Sequence, residues 1–170
     1  MKKKILTITL LILFGISENM DAQQYDSAVG ARLGFPLSIS YKKYISETGA
    51  LEFYGGTRGV NGAFNTGYRW WSINGAYQVH KPLNLGELEG LDYYFGGGAS
   101  IFFWTFDEGF GDDFSTVNVG VQGYLGLSYT FEDTPINITL DWVPTYFVGG
   151  FLSGVGAGFG GVGIRYVFSK

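Results

Sequence analysis

The sequence predicts an all-β fold, an eight-stranded antiparallel up-and-down β-barrel that is transmembrane. Three observations lead there. Apolar residues recur at every second position through most of the chain; glycine and aromatic residues are both abundant, with 28 glycines among 170 residues and 18% aromatics; and the first 22 residues follow an export pattern. Alternation belongs to strands, because successive side chains leave a pleated backbone on opposite faces. No apolar run after residue 22 reaches the roughly 20 residues of a membrane-spanning helix, so any crossing is made by strands.

Lys2 to Lys4, the apolar stretch Ile5 to Ile16 and a polar run closing at Ala22 form the three regions of a Sec-type signal peptide. Its apolar core is too short to span a bilayer. Cleavage is expected after Ala22, which divides the chain into a signal peptide, 1–22, and a barrel, 23–170. It removes three of 11 basic residues and two of 15 acidic ones, Glu18 and Asp21, leaving 8 against 13 and a net charge of −5. That balance argues against a nucleic-acid partner. Without cysteine, the chain has no disulfides or thiolate metal sites.

Eight segments alternate: about 25–34, 37–45, 50–58, 66–79, 91–104, 116–131, 136–146 and 158–168. The first carries Arg32 on its polar phase. In the second, Leu37, Ile39 and Tyr41 alternate with Ser38, Ser40 and Lys42. Glu52 takes the polar phase of the third. The fourth shows Trp71 and Tyr77 on its apolar phase, and the fifth shows Tyr93 and Phe103. The sixth sets Val117, Val119, Val121, Leu125, Leu127 and Tyr129 against Asn118, Gly120, Gln122, Tyr124, Gly126 and Ser128. The seventh sets Ile136, Ile138, Leu140 and Trp142 against Asn137, Thr139 and Asp141. In the eighth, Val162, Ile164, Tyr166 and Phe168 alternate with Gly163, Arg165 and Val167. Single-chain bacterial barrels have even strand numbers, and about 9–11 residues suffice for a tilted strand.

One face is therefore aliphatic with aromatics near its ends, and the other is polar, glycine-rich and sparsely charged. In a lipid-facing barrel the first points outward and the second into the lumen. The lumen should then hold Arg32, Lys42, Glu52, Asp141 and Arg165, with Lys42 opposite Glu52 and Asp141 diagonal to Arg165. Inward Gly96, Gly98, Gly120 and Gly126 should make room for Tyr94, Tyr124 and the arginines. A soluble, lipocalin-like barrel with the faces reversed would leave too few charges on its exterior. With both termini in the periplasm, outward aromatics sort into two girdles. Phe35, Trp71, Phe103 and Trp142 lie toward the outer rim, and Tyr41, Tyr77, Tyr93, Tyr129, Tyr166 and Phe168 toward the periplasm. Eight strands enclose a bore just wide enough for side chains or one small ligand, so a wide pore is excluded.

External connections fall at Phe35-Pro36, 59–65, 105–115 and 147–157; periplasmic turns fall at Ser46 to Gly49, 80–90 and Glu132 to Pro135. Outer-leaflet acyl chemistry needs a nucleophile and a base. The single histidine, His80, falls at a periplasmic turn and reads as a turn histidine without a catalytic partner. Asp107, Glu108, Asp112 and Asp113 cluster in one external loop. They read as a solvated surface, with divalent-cation binding as the lesser alternative. Glycine pairs such as Gly55-Gly56 lack the strand-to-helix context of a phosphate loop. The expectation is no catalytic residue, no metal and no cofactor.

On the spacing Gly163, Tyr166, Phe168 of the closing strand, the chain resembles the small eight-stranded outer-membrane barrels of the OmpA and OmpX type, across residues 23–170. Ser169 and Lys170 follow the aromatic on which such proteins usually end. The resemblance implies insertion into a Gram-negative outer membrane by the barrel-assembly machinery, which reads those three residues. It further implies a monomer whose partners are outer-membrane lipid and lipopolysaccharide. The leading functional expectation is a non-enzymatic integral protein serving envelope integrity or surface interaction. A narrow pore or small-ligand carrier comes second and a lipid-modifying outer-membrane enzyme third, because such barrels host all of these.

Overall fold

The computed structural model describes residues 25–58, 68–83, 89–106, 114–149 and 152–169. The signal segment with its cleavage site, loop 59–65 and the acidic run from Asp107 to Asp113 lie outside the described residues.

The strands are β1 (Ser27–Phe35), β2 (Leu37–Tyr44), β3 (Gly49–Arg58), β4 (Tyr68–Pro82), β5 (Leu91–Phe106), β6 (Phe114–Thr130), β7 (Ile136–Trp142), β8 (Thr145–Val148), β9 (Gly154–Gly156) and β10 (Gly160–Ser169). Each pairs antiparallel with its sequence neighbour from β1 to β6, β10 pairs with β7, and the β1–β10 pairing closes the sheet. β7 and β8 are one barrel strand, since both lie along β6 in a single register, with Leu125 opposite Trp142 and Gln122 opposite Thr145. They separate at Val143-Pro144 because proline has no N–H to give the ladder, although Gly123 still donates to the Pro144 carbonyl at 2.9 Å. Residues 157–159 form the matching interruption between β9 and β10. The strand expected to be continuous at 136–146 is thus broken once, the strand expected at 158–168 is continuous from Gly160, with β9 lying in the stretch expected as loop 147–157, and the closed barrel has eight walls.

Following paired residues from Gly30 through Ser40, Tyr54, Asn74, Ser100 and Gly120 leads to Phe147 and then Gly154. Gly30 itself is bonded across the seam to Arg165. The sheet therefore closes with a stagger of about ten residues, the shear that tilts the strands of a closed barrel.

Burial follows the alternation. Ile39 is 72% exposed while its neighbours Ser38 and Ser40 are buried. The polar phase faces a filled lumen and the apolar phase faces out. At the end where the described residues begin at Tyr25 and finish at Ser169, here the near end, Tyr25, Ala28, Tyr44, Ala50 and Val167 pack into a stopper. Tyr94 lies directly opposite Gly126, where an added Cβ would come 2.7 Å from the ring, so that glycine makes room as expected. Gly96 and Gly98 do not. Their missing side chains would meet neighbouring backbone, the Tyr77 and Gly75 carbonyl oxygens, rather than a ring.

The near-end turn expected at 80–90 is shorter than its sequence suggested. β4 runs on to Pro82, and Leu83 donates to Leu91 at 2.8 Å. His80 is a strand residue, its amide bonded to the Thr48 carbonyl at 2.8 Å.

Candidate functional site

Five strands bring the five lumen charges together at the level just above the stopper. Lys42 on β2 and Glu52 on β3 are direct cross-strand partners, with Nζ 3.6 Å from the carboxylate. Glu52 also accepts from Arg32 at 3.0 Å, from Arg165, and from the Gln78 amide at 2.8 Å. One buried carboxylate thus serves three cations. The expected Asp141–Arg165 contact is not made. Register sets Asp141 opposite Gly161, four residues and about 13 Å along β10 from Arg165. Asp141 instead takes Arg32 at 2.8 Å and the Tyr94 hydroxyl at 2.6 Å. Arg165 spends its other donors on Ser40 and Thr139, each at 2.9 Å. Glu52 and Lys42 are fully buried and Arg165 is 1% exposed. At this depth a charge is tolerable only when paired and hydrogen-bonded.

His80 and Asp92 extend this cluster, and the sequence reading of a turn histidine is corrected here. His80 is buried inside the lumen, with Nε2 3.4 Å from Lys42 Nζ and Nδ1 3.8 Å from Asp92 Oδ2. Its ring stacks on Tyr94 at 4.7 Å, and Lys42 Nζ sits 4.6 Å above that same tyrosine. The signal is present in the sequence: Asn74, Ala76, Gln78 and His80 share one phase, and the alternation needs to be carried only one residue past Val79 to reach it.

Toward the far end the polar phase turns aromatic. Trp70, Phe102, Trp104, Phe147 and Phe159 converge, with Phe102 5.1 Å from Trp70, 5.2 Å from Phe147 and 5.6 Å from Phe159. Below them Tyr54 and Tyr124 share a 2.8 Å hydrogen bond and both reach Gln122. Above them the Asn118 amide donates to the Leu152 carbonyl at 2.8 Å and to the Gly149 carbonyl, and Leu152 packs against the plug.

Phe35, expected outside, also belongs to this plug. Its ring meets Trp70 edge-on at 5.3 Å and Phe159 at 5.4 Å, because the chain turns back at Pro36 and the alternation of β1 ends there. The other girdle candidates Trp71, Phe103, Tyr41, Tyr77, Tyr93, Tyr129, Tyr166 and Phe168 take outward positions. Trp71 stacks on Phe103 at 4.0 Å, and Tyr41 on Phe168 at 6.3 Å. Trp142 points outward too, but not in the tier of Trp71 and Phe103. Phe103 pairs with Val117, whereas Trp142 pairs with Leu125, eight residues nearer the near end of β6. Its indole N–H donates to the Ala157 carbonyl at 2.7 Å, capping the 157–159 interruption. Of the closing-strand residues, Gly163 faces inward beside Thr139 and the Arg165 guanidinium, and Tyr166 and Phe168 face out.

The lumen chemistry is ionic below and apolar above, and His80 faces a lysine and a carboxylate rather than a hydroxyl nucleophile. Among the described residues, clefts also lie outside the bore. One, of about 550 Å³, sits at the near-end β6–β7 turn beside Glu89, Phe131, Glu132 and Asp133. Another, of about 390 Å³, is a groove on the outer wall among Tyr93, Leu125, Leu127, Leu140 and Trp142.

No protein-family model and no curated protein matches the sequence. Among solved structures, the chain is similar to Neisserial surface protein A. That likeness has a TM-score of 0.54 and 18% sequence identity, and it covers 84% of this chain and 94% of that one. Identity at that level speaks for the fold alone, and the fold is a closed, eight-stranded antiparallel barrel with no helix among the described residues. In architecture the chain is similar to the small outer-membrane barrels of the OmpA and OmpX type.

Proposed function

We propose that the chain is an integral outer-membrane protein that works through a closed, self-filled barrel and its outer surfaces, without catalysis, in envelope integrity or surface interaction. One observation carries the reading, which is the inversion of the barrel. Charged side chains are buried at its centre while Ile39, Leu125, Leu140, Tyr166 and Val155, the last 74% exposed, stud its wall. Soluble monomers rarely expose apolar patches beyond a few hundred Å², and here the apolar phase runs round all eight walls. Hydrocarbon is the solvent that this arrangement fits.

The near end is then periplasmic, and export through the signal at 1–22 and insertion through Gly163, Tyr166 and Phe168 complete the proposal. Outer-membrane lipid and lipopolysaccharide are its surest partners, and the protein acts as a monomer. Occlusion at two levels supports a non-conducting lumen: Glu52 and Lys42 at one and Phe102 at the other are out of reach of water. Purified protein in planar bilayers should give no discrete conductance steps and should migrate faster on gels unboiled than boiled. Stepwise ion currents would replace the closed barrel with the narrow pore. Recovery in the soluble periplasm would sink the membrane reading itself.

A further inference from the structure

The ion network leaves one carboxylate and one ring nitrogen unaccounted for. Asp92 Oδ1 and His80 Nδ1 are buried without hydrogen-bond partners, and Asp92 is only 2% exposed. Buried polar atoms in that state are rare, and here the orphaned ring nitrogen lies 3.8 Å from the other oxygen of the same carboxylate, Asp92 Oδ2. We propose that Lys42, His80 and Asp92 form a relay that carries the lumen ion network to the periplasmic mouth. In it, Lys42 donates to Nε2 and the Nδ1–H is held toward the Asp92 carboxylate. The inference rests on the lumen assignment above.

The tautomer follows from what surrounds the ring. An ammonium has three donors and no acceptor, so the nitrogen 3.4 Å from Lys42 must present its lone pair. The proton then belongs on Nδ1, where it meets a carboxylate. The opposite tautomer would set donor against donor at one nitrogen and lone pair against lone pair at the other. An imidazolium would place a second positive charge beside Nζ. The ring cannot turn away, because Tyr94 stacks on it at 4.7 Å and Tyr44 flanks it at 5.1 Å. With Asp92 included, Arg32, Lys42 and Arg165 face Glu52, Asp141 and Asp92, three charges against three, and the neutral ring preserves that balance. A gap of 3.8 Å exceeds a hydrogen bond by a few tenths of an ångström, within reach of rotation of the aspartate side chain.

The chain has one histidine, so a single imidazole labelled with ¹⁵N reports without ambiguity. In detergent-solubilised, folded protein we expect a pyrrole-type signal at Nδ1 and a pyridine-type signal at Nε2. The reverse pattern, or two protonated nitrogens, overturns the relay. A second arm measures coupling between Lys42→Met and Asp92→Asn by unfolding equilibria. It should be about tenfold in the parent and fall to less than about twofold in His80→Phe, which keeps the stacking. Undiminished coupling would mean that the two charges interact directly through space, and the relay would be wrong. If His80→Phe does not fold, the tautomer alone decides. Neither readout depends on conductance: a conducting barrel with the Nδ1–H tautomer sinks the closed-lumen reading and leaves the relay standing.

Discussion

The near half of the lumen is filled by charges and the far half by rings, although the same strands build both. β5 supplies Asp92 and Tyr94 below and Phe102 and Trp104 above; β4 supplies Gln78 and His80 below and Trp70 above. The halves differ in what they demand of the barrel. An ion network depends on which residues the register sets side by side, because a buried charge must find a partner within a few ångströms. The aromatic plug needs shape and volume, and its edge-on contacts accept many arrangements. Register errors should therefore be costly below and repairable above.

The largest effect is expected where one carboxylate serves several cations. Glu52→Leu strands Lys42 and Arg165 and leaves Arg32 with Asp141 alone, and it should cost on the order of 3–5 kcal/mol in urea unfolding in detergent or lipid. Adding Lys42→Met should not restore stability, because Arg165 still lacks its carboxylate and Arg32 keeps only Asp141. This departs from the simple pair that the sequence suggests, where joint replacement would be nearly neutral. A double variant as stable as the parent would show that the two arginines do not depend on Glu52.

The far half should respond differently. Phe102→Ala removes the ring on which Trp70, Phe147 and Phe159 converge and should cost about 3 kcal/mol, part of which those neighbours recover by leaning in. The space left is apolar, and cavities of that kind stay dry and take up benzene or xenon. Added benzene should therefore raise the stability of Phe102→Ala and leave Glu52→Leu unchanged. Equal responses from the two variants would erase the distinction between the halves.

Gly126→Ala tests the junction between them. The new methyl would come 2.7 Å from both the Tyr94 ring and the Leu140 carbonyl, and the ring cannot shift without straining its 2.6 Å bond to Asp141. A cost of about 1–3 kcal/mol is expected. Combining it with Tyr94→Leu should give less than the sum of the two. Strict additivity would mean that ring and glycine do not share the space.

Much of the wall was legible in the sequence, because alternation is a local property. Ser38, Ser40 and Lys42 face inward because Leu37, Ile39 and Tyr41 face outward, whatever the other strands do. The Lys42–Glu52 contact was legible for a similar reason, since a four-residue turn fixes which residues of a hairpin meet. What escaped is non-local. Arg32 meets Asp141 across the β1–β10 seam and β7, where the stagger of closure decides the partners and no turn does. The plug escaped because Trp70, Phe102 and Trp104 occupy the phase that elsewhere carries Ser, Gly and Asn, so composition by phase misled. His80 was assigned to a turn because the alternation was stopped at Val79, three residues before β4 ends.

The smallest effect concerns the outer wall, where a side chain performs a backbone's task. Trp142 was expected in the outer aromatic tier, yet its indole N–H donates to the Ala157 carbonyl at 2.7 Å. Residues 157–159 interrupt the ladder, and on a wall that faces hydrocarbon, as proposed above, no water would satisfy a carbonyl left open there. Trp142→Phe keeps a ring and deletes this donor. It should cost about 1 kcal/mol, the net worth of one hydrogen bond with some of the penalty for an orphaned acceptor. Trp71→Phe keeps the stacking on Phe103 and serves as the control, with an expected loss of only a few tenths of a kcal/mol. The difference should be seen for protein embedded in lipid and shrink in short-chain detergent, where water reaches the wall. If the two variants lose the same amount in lipid, Trp142 is an ordinary surface aromatic and the interruption at 157–159 is satisfied by other means.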